Sequence, residues 1–436
     1  MKKFKMVLAL VLAMVMLLSA CGTEGSSTPS SSTPSNTSVP GTPSESNSPA
    51  AKAELLVSVW AGPHADLQKS VSADYSNGTV TIDDVDYGNL KQKQLTSFQA
   101  ASGSGNYDVV WVNSQWMKEY VEAGYIMPID DYIKEAGIDT SIYADGLLKG
   151  CQFGGKTYGL PTFAQCLIVA YDGEVFEKEG LKAPTNAEEL VEVAKYFKSK
   201  GTGIALPAKQ GSAAVTLFSQ LLYSDDGYYF DGNGKLDLTS EKAVYAASIY
   251  DQLVQNSIDG CLAWHHDEVA EAVRTKAAPI GIIMSGLANQ NADPEKSLIV
   301  DSVQYATLSG KSGKASASNS FWVWAVAKNS ANPKAAFDYC SWMTSPEIEK
   351  KQTLADQQIS AVNSLSKDPE VLSKAPFLPV VMEQLANGNM DPALLSFGTL
   401  KEKLIVSLSE IASTDADPLQ VLSKLQEDLK DVDFSK

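Results

Sequence analysis

Aromatic side chains stand next to polar ones at several points along the chain, and this combination suits the binding of a small polar molecule. A pyranose ring offers an apolar C–H face to an aromatic ring, and its hydroxyl groups hydrogen-bond to polar side chains. Each of these tryptophans could instead belong to the apolar core and make no contact with a ligand. The candidate binding residues are Trp60, His64, Asp66, Asn113, Trp116, Gln165, Trp264, His265, Ser285, Asn319 and Trp322.

Catalytic and metal-binding patterns explain these residues less well. The sequence contains neither a G-x-S-x-G nor an H-E-x-x-H pattern, and no spacing marks a carboxylate pair for glycoside hydrolysis. His265 and His266 are adjacent, so their side chains point apart, and His64 is the third and last histidine. We therefore expect a binding protein without a metal or another cofactor, and not an enzyme.

The first 21 residues predict export and lipid attachment. A lysine-rich start precedes a short apolar run at residues 6–18, which is typical of a secretory signal. Small residues before Cys21 resemble a bacterial lipobox, which implies that residues 1–20 are removed and that Cys21 is lipidated. An ordinary signal with an incidental cysteine is the alternative. We expect a lipid-anchored (palmitate-bearing) lipoprotein on the extracellular face of the cell membrane.

Residues 21–51 form a second segment, which is rich in serine, threonine and proline and lacks aromatic residues. Such a composition cannot bury enough apolar surface to fold, so it predicts a disordered linker after the lipidated cysteine. The remainder, from about residue 52 to residue 436, is long enough for two domains.

The charge of the chain restricts its partners. The formal net charge is −17, which argues against nucleic acid and against anionic membrane surfaces. Arg274 is the only arginine. Because arginine is the residue best suited to a bidentate grip on carboxylate or phosphate, its scarcity favours a neutral or cationic solute. The cysteines Cys151, Cys166, Cys261 and Cys340 show no metal spacing and are expected to be buried thiols, with disulfides as the alternative.

Strand-like and helix-like segments alternate through the folded part. Strands predicted at residues 55–60, 80–85 and 107–112 alternate with helical patterns, which indicates a largely parallel sheet. Ligands of such sheets bind beyond the carboxyl ends of the strands. Further strands are predicted at residues 166–171, 203–206, 278–284, 302–308 and 321–327, and the main later helices at residues 186–200, 241–255, 333–344, 346–355, 369–374, 379–387, 397–413 and 418–431.

Several blocks, taken in order, resemble the extracellular solute-binding proteins of ABC importers, the group that includes maltose-binding protein. The blocks are YDVVW at 107–111, EAGYIMPID at 122–130, GKTYGLP at 155–161, YDGEVFEKEGL at 171–181, APIGIIMSG at 278–286 and the stretch at 321–346. The resemblance implies a periplasmic-binding-protein-like α/β fold, with two lobes, a hinge and a mainly helical C-terminal segment. Lobe 1 would comprise residues 52–162 and about 303–355, and lobe 2 residues 163–302 and about 356–436.

The resemblance also implies that the protein is a monomer that captures a sugar or oligosaccharide between its lobes and delivers it to the transmembrane subunits of an ABC permease. Two stretches depart from the pattern of sugar-binding relatives, since Leu287-Ala288-Asn289 and Phe397-Gly398-Thr399 stand where tryptophan is common. A cationic solute such as a polyamine, held by Asp66, Asp267 and Trp264, is the alternative ligand. An adhesion or sensor lipoprotein of the same fold is a third hypothesis.

Overall fold

The computed structural model describes residues 52–434, except residues 103, 104, 357, 358, 393, 395 and 415. The expected signal peptide, Cys21 and the linker therefore lie outside the described residues. The strands are β1 (Ala53–Trp60), β2 (Gly78–Val85), β3 (Val109–Asn113), β4 (Gln152–Phe153), β5 (Lys156–Thr157), β6 (Leu160–Gln165), β7 (Leu167–Asp172), β8 (Ile280–Met284), β9 (Val303–Ala306), β10 (Ser318–Val326) and β11 (Asn389–Met390).

Helices surround these strands, as expected for an α/β protein. They are α1 (Pro63–Ser72), α2 (Tyr87–Gln99), α3 (Met117–Glu122), α4 (Asp130–Ala136), α5 (Asp145–Gly150), α6 (Gly173–Glu179), α7 (Ala187–Ser199), α8 (Ser212–Ser224), α9 (Glu241–Gln255), α10 (His266–Arg274), α11 (Pro333–Met343), α12 (Pro346–Asp356), α13 (Pro369–Lys374), α14 (Leu378–Ala386), α15 (Phe397–Ser413) and α16 (Pro418–Asp428). Among the described residues, none of the helices has the length and apolar character needed to span a bilayer.

The first sheet has the strand order β11-β10-β3-β1-β2, with β6 also paired to β10. β1 runs parallel to β2 and β3, whereas β10 is antiparallel to β3. Every residue of β3 is buried, because an apolar run of this kind is covered on both faces of the sheet. The carboxyl ends of β3, β1 and β2 consequently meet at one edge of the sheet.

The second sheet has the order β8-β7-β9, and both of its pairings are antiparallel. The expectation of a largely parallel sheet is therefore wrong for this part of the chain. Apolar runs reveal that a strand is buried but not which way it runs. The strand expected at residues 203–206 is reduced to isolated bridges at Ile204 and Ala205.

Three segments of the chain pass between the two sheets and their helices. β6 of the first sheet leads through Cys166 directly into β7 of the second, β9 leads back to β10, and β11 leads on towards α15. Two buried glutamines support these passages. The amide of Gln220 bonds both the N–H and the carbonyl of Leu167 at 2.9 and 2.6 Å, and Gln384 bonds Leu308 in the same way at 2.9 and 2.7 Å.

Two apolar cores accompany the two sheets. The first lies around β1, β3, β6 and β10 and extends to α13 and α14. The second contains one face of β7 and β8 together with α7, α8, α9, α15 and α16. Val371, Val381 and Leu385, which belong to the late segment expected in lobe 2, pack in the first core. The four described cysteines are buried and unpaired.

Candidate functional site

Four aromatic residues gather at the carboxyl edge of the first sheet. Trp60 ends β1, Tyr87 begins the helix that follows β2, and Trp116 lies in a single turn of 3-10 helix after β3. Trp322 on β10 joins them because its backbone pairs with Asn113 at the end of β3. We call Trp60, Tyr87, Trp116 and Trp322 the aromatic patch.

The rings of the aromatic patch are in mutual contact. Trp60 stacks on Trp322 with centroids 5.6 Å apart and an interplanar angle of 17°, and Tyr87 stacks on Trp116 at 5.9 Å. Trp322 is only 4% exposed, so it supports the patch from beneath. Trp60 and Trp116 are half-buried, and Tyr87 is 45% exposed. Large aromatic surface therefore remains open to solvent where ligands of such sheets bind.

His64 and Asp66 follow Trp60 on α1. The His64 ring lies 5.5 Å from Trp60 and 4.7 Å from Phe163, so it extends the patch towards the passage from β6 to β7. The side chain of Asp66 is 81% exposed and lies 4.0 Å from Lys69. The structure thus brings together Trp60, His64, Trp116 and Trp322, which the sequence analysis selected one by one. Asp66 lies at the solvent side of this cluster.

A cavity of about 340 Å³ adjoins the patch, and Trp116 belongs to both. This volume lies in the range of small-molecule sites. Four parts of the chain line the cavity: Lys91 on α2, residues within 114–119, residues within 149–153, and a late segment that includes Met390, Asp391, Phe397 and Lys401. The late segment includes one aromatic residue, Phe397. The Phe397 side chain is 5% exposed and Lys401 lies over its ring at 5.7 Å, so its face is already covered.

Asp391 connects the walls of the cavity. Its carboxylate accepts hydrogen bonds from Gln115, Tyr223 and Ser318, each at 3.2 Å, and lies 3.5 Å from Lys401. Gln115 and Ser318 belong to the first sheet and its loops, while Tyr223 and Lys401 belong to helices of the second core. Burial and the neighbouring Asp391 carboxylate raise the pKa of Tyr223 well above its ordinary value, so the phenol stays protonated and donates.

Other expected binding residues have structural partners. The Asn113 side chain caps the 3-10 turn by accepting from the Gln115 N–H at 3.0 Å. Ser285 is fully buried, and its hydroxyl accepts from the Cys166 N–H at 3.1 Å. Both polar groups hold the backbone near the site, so we omit them from the proposed ligand contacts.

The remaining expected residues are Gln165 at the end of β6, Trp264 and His265 before α10, and Asn319 on β10. Gln165 packs closely on Gly286, where an added Cβ would approach its Nε2 to 2.8 Å. Trp264 is half-buried against both cores, and the His265 backbone N–H bonds Glu268 at the start of α10. The Asn319 side chain lies outside the described atoms. Among the described residues, no hydrogen bond or ring contact links the side chains of Gln165, Trp264 and His265 to the aromatic patch.

Sequence reasoning missed Tyr87, Asp391 and Lys401. Tyr87 could have been found, because the rule that selected residues after β1 and β3 applies equally to the end of β2. Asp391 and Lys401 come from a segment far along the chain, and only the folded structure brings them to Gln115.

One sequence pattern typical of a phosphate-binding loop occurs in the chain, but the structure around it does not fit that function. Residues 150–157 match G-x-x-x-x-G-K-[ST], the letters of a phosphate-binding loop. That loop must follow a strand and open a helix, but here it spans the hairpin of β4 and β5. Gly154 and Gly155 adopt φ of 57° and 75° to make the hairpin turn. No nucleotide site is assigned, and the described residues contain no group of side chains that could hold a metal ion.

Comparison with known proteins decides the family. The family model of the bacterial extracellular solute-binding protein matches residues 61–350, about two thirds of the chain. The chain belongs to this family. The solute-binding protein is 26% identical to a protein of Sinorhizobium fredii named a probable amino-acid ABC transporter periplasmic-binding protein, over 74% of this chain and 76% of that protein.

Solved structures show the same fold for this solute-binding protein. An ABC transporter solute-binding protein from Agrobacterium radiobacter in complex with ribitol superposes with a TM-score of 0.74 and 24% identity, covering 88% of this chain and 100% of that one. The maltose-bound MalE3 protein of T. maritima also gives a TM-score of 0.74, at 19% identity, with 86% and 99% coverage. The periplasmic-binding-protein-like fold expected from the sequence is confirmed.

Proposed function

We propose that this solute-binding protein captures a sugar, an oligosaccharide or a sugar-derived polyol. The observation that carries the proposal is the aromatic patch, which leaves the rings of Trp60, Tyr87 and Trp116 accessible beside a cavity with polar walls. Aromatic faces suit the C–H faces of sugars, and Gln115 and Asp391 suit hydroxyl groups. The ligands named for two solved relatives, ribitol and maltose, have the same chemistry.

A cationic solute is less well supported. A polyamine site needs carboxylates whose charge is free, but the cavity carboxylates Glu119 and Asp391 lie 2.6 and 3.5 Å from Lys91 and Lys401. Asp66, which was expected to hold a cation together with Asp267 and Trp264, has a side chain that is 81% exposed and lies 4.0 Å from Lys69, so its charge is already partnered. We therefore favour the carbohydrate.

The remainder of the proposal concerns the place of the protein in the cell. We propose that Cys21 is lipidated, that residues 22–51 act as a tether, and that the monomer delivers its solute to ABC permease subunits. The ligand would contact the first sheet through Trp116 and the second core through Lys401, both of which line the cavity. Binding to both sides would favour a closed state, because a ligand shifts a population by its differential affinity.

The test replaces one platform residue. Trp116→Ala is expected to weaken binding of the identified sugar by about fivefold or more, since it removes a stacking surface worth about 1 kcal/mol or more. Isothermal titration calorimetry measures this change. Trp342→Ala is the matched control, because Trp342 is also half-buried but packs on Tyr75 and Tyr339 away from the patch. Equal affinity of the two variants would remove Trp116 from the site.

A further inference from the structure

The cavity beside Trp116 is richer in lysine than the chain as a whole. Four of its 17 lining residues are lysines, namely Lys91, Lys118, Lys149 and Lys401, and two are acids, Glu119 and Asp391. The whole chain has 35 basic and 52 acidic residues. A locally positive cavity in a strongly acidic protein is a specific feature, because the overall charge repels anions everywhere else.

The ion pairs leave part of this positive charge uncompensated. Lys91 pairs with Glu119 at 2.6 Å, and Lys401 lies 3.5 Å from Asp391, so these four charges balance. Among the described residues, the ion-pair partner of Lys118 is Glu122 on the same helix, at 3.4 Å, and the Glu122 side chain is 55% exposed. Such solvent-exposed pairs are weak and exchange readily. Lys149 is exposed and forms no ion pair with any described residue.

Two further features complete the chemistry of the cavity. Trp116 and Phe153 give it an apolar wall that suits a sugar ring, so the site is not built for a bare ion. The first turn of α15, a helix of 17 residues, contributes Phe397 and Gly398 to the lining, and the next turn contributes Lys401. The positive end of a helix adds to the attraction that the lysines exert on an anion.

We propose that this cavity binds the anionic group of a saccharide that carries a carboxylate or a phosphate, while the aromatic patch holds its ring. The inference rests on the proposed carbohydrate function and narrows it to acidic sugars. It revises the expectation from arginine scarcity, because Lys118 and Lys149 supply the charge as flexible point cations, which need no bidentate geometry.

The experiment titrates the whole protein with matched pairs of ligands in a calorimeter. The pairs are galactose and galacturonate, glucose and glucuronate, oligosaccharides of the same two kinds, and glucose with glucose 6-phosphate. We expect one acidic member to bind at least about tenfold more tightly than its neutral partner, with an affinity that falls as salt is raised. The uronate pairs test recognition of a carboxylate, and the pair of glucose and glucose 6-phosphate tests recognition of a phosphate.

Variants test whether the lysines are responsible. Lys149→Gln and Lys118→Gln are each expected to weaken binding of the acidic ligand several-fold more than binding of its neutral partner. Lys182→Gln is the control, since it removes one exposed lysine outside the cavity lining.

Three results would overturn the inference. Neutral sugars that bind as tightly as acidic ones would refute it and leave the carbohydrate function standing. Inorganic phosphate that binds as tightly as any sugar phosphate would refute the saccharide part. Binding of spermidine or an amino acid, with no response to any saccharide, would refute both the inference and the proposed function.

Discussion

At the scale of single residues, Glu349 is a carboxyl group enclosed in the protein interior. It lies on α12, is 3% exposed, and accepts a hydrogen bond of 2.6 Å from the Thr162 hydroxyl on β6. Burial raises the pKa of Glu349 from 4.5 to about 7, although the bonds from Thr162 and Ser360 oppose the shift. The group therefore ionises near neutral pH, directly behind the strand that leads from the first sheet to the second.

This pKa has a defined effect on stability. The folded-state pKa of Glu349 lies above its unfolded value, so its contribution is most favourable below about pH 4.5 and is lost as the pH rises to about 7. The shift corresponds to a loss of about 3 kcal/mol in the free energy of unfolding across that window. Glu349→Gln should remove this pH dependence, because an amide does not titrate. The variant should still fold, since the amide oxygen can accept the hydrogen bond from Thr162.

Chemical unfolding at pH 5 and pH 7.5 measures the difference. The wild-type protein should lose stability relative to Glu349→Gln as the pH rises. Glu347→Gln, an exposed change on the same helix, should follow the wild type. Parallel pH profiles of the wild type and Glu349→Gln would show that Glu349 titrates normally.

At the scale of secondary-structure elements, Gln220 links α8 to the start of β7. Its side-chain amide satisfies both backbone groups of Leu167 just after the passage between the sheets. Gln220→Met keeps the approximate volume but leaves two buried backbone groups without this partner. We expect the free energy of unfolding, measured with urea, to fall by about 1–3 kcal/mol for each backbone group left without a partner. Gln92→Met, on the exposed face of α2, should change the free energy of unfolding little, and an equally small effect of Gln220→Met would contradict this role.

The elements show what the sequence could predict. The expected helix bounds of α9, α13 and α15 agree with the structure, since a proline or serine start and a clear apolar face mark them. α8 was missed because nearly all its residues are buried, so no polar face reveals the helical period.

Only part of the candidate site could be predicted from the sequence. Strand-end positions selected Trp60 and Trp116, because parallel neighbours must end at the same edge. The same logic was not applied to Tyr87. Asp391 and Lys401 were out of reach, since their approach to Gln115 depends on how the late segment folds back onto the cavity.

At the scale of the whole molecule, the cavity beside Trp116 lies where side chains from the first sheet meet side chains from helices of the second core. Gln115 and Ser318 reach Asp391 from the first sheet, and Tyr223 and Lys401 reach it from helices of the second core. A solute that replaces or extends these bonds contacts both sides at once. Such contacts can drive closure without any chemical step.

The most direct test of this account is the thermal unfolding of the whole protein with saccharides, polyols, amino acids and spermidine supplied separately. A ligand at 100 times its Kd stabilises the folded state by about 2.7 kcal/mol. We predict that a saccharide, most strongly an acidic one, raises Tm and that the rise at the same ligand concentration is smaller in Trp116→Ala. A rise in Tm with spermidine or an amino acid, and with no saccharide or polyol, would contradict the central claim.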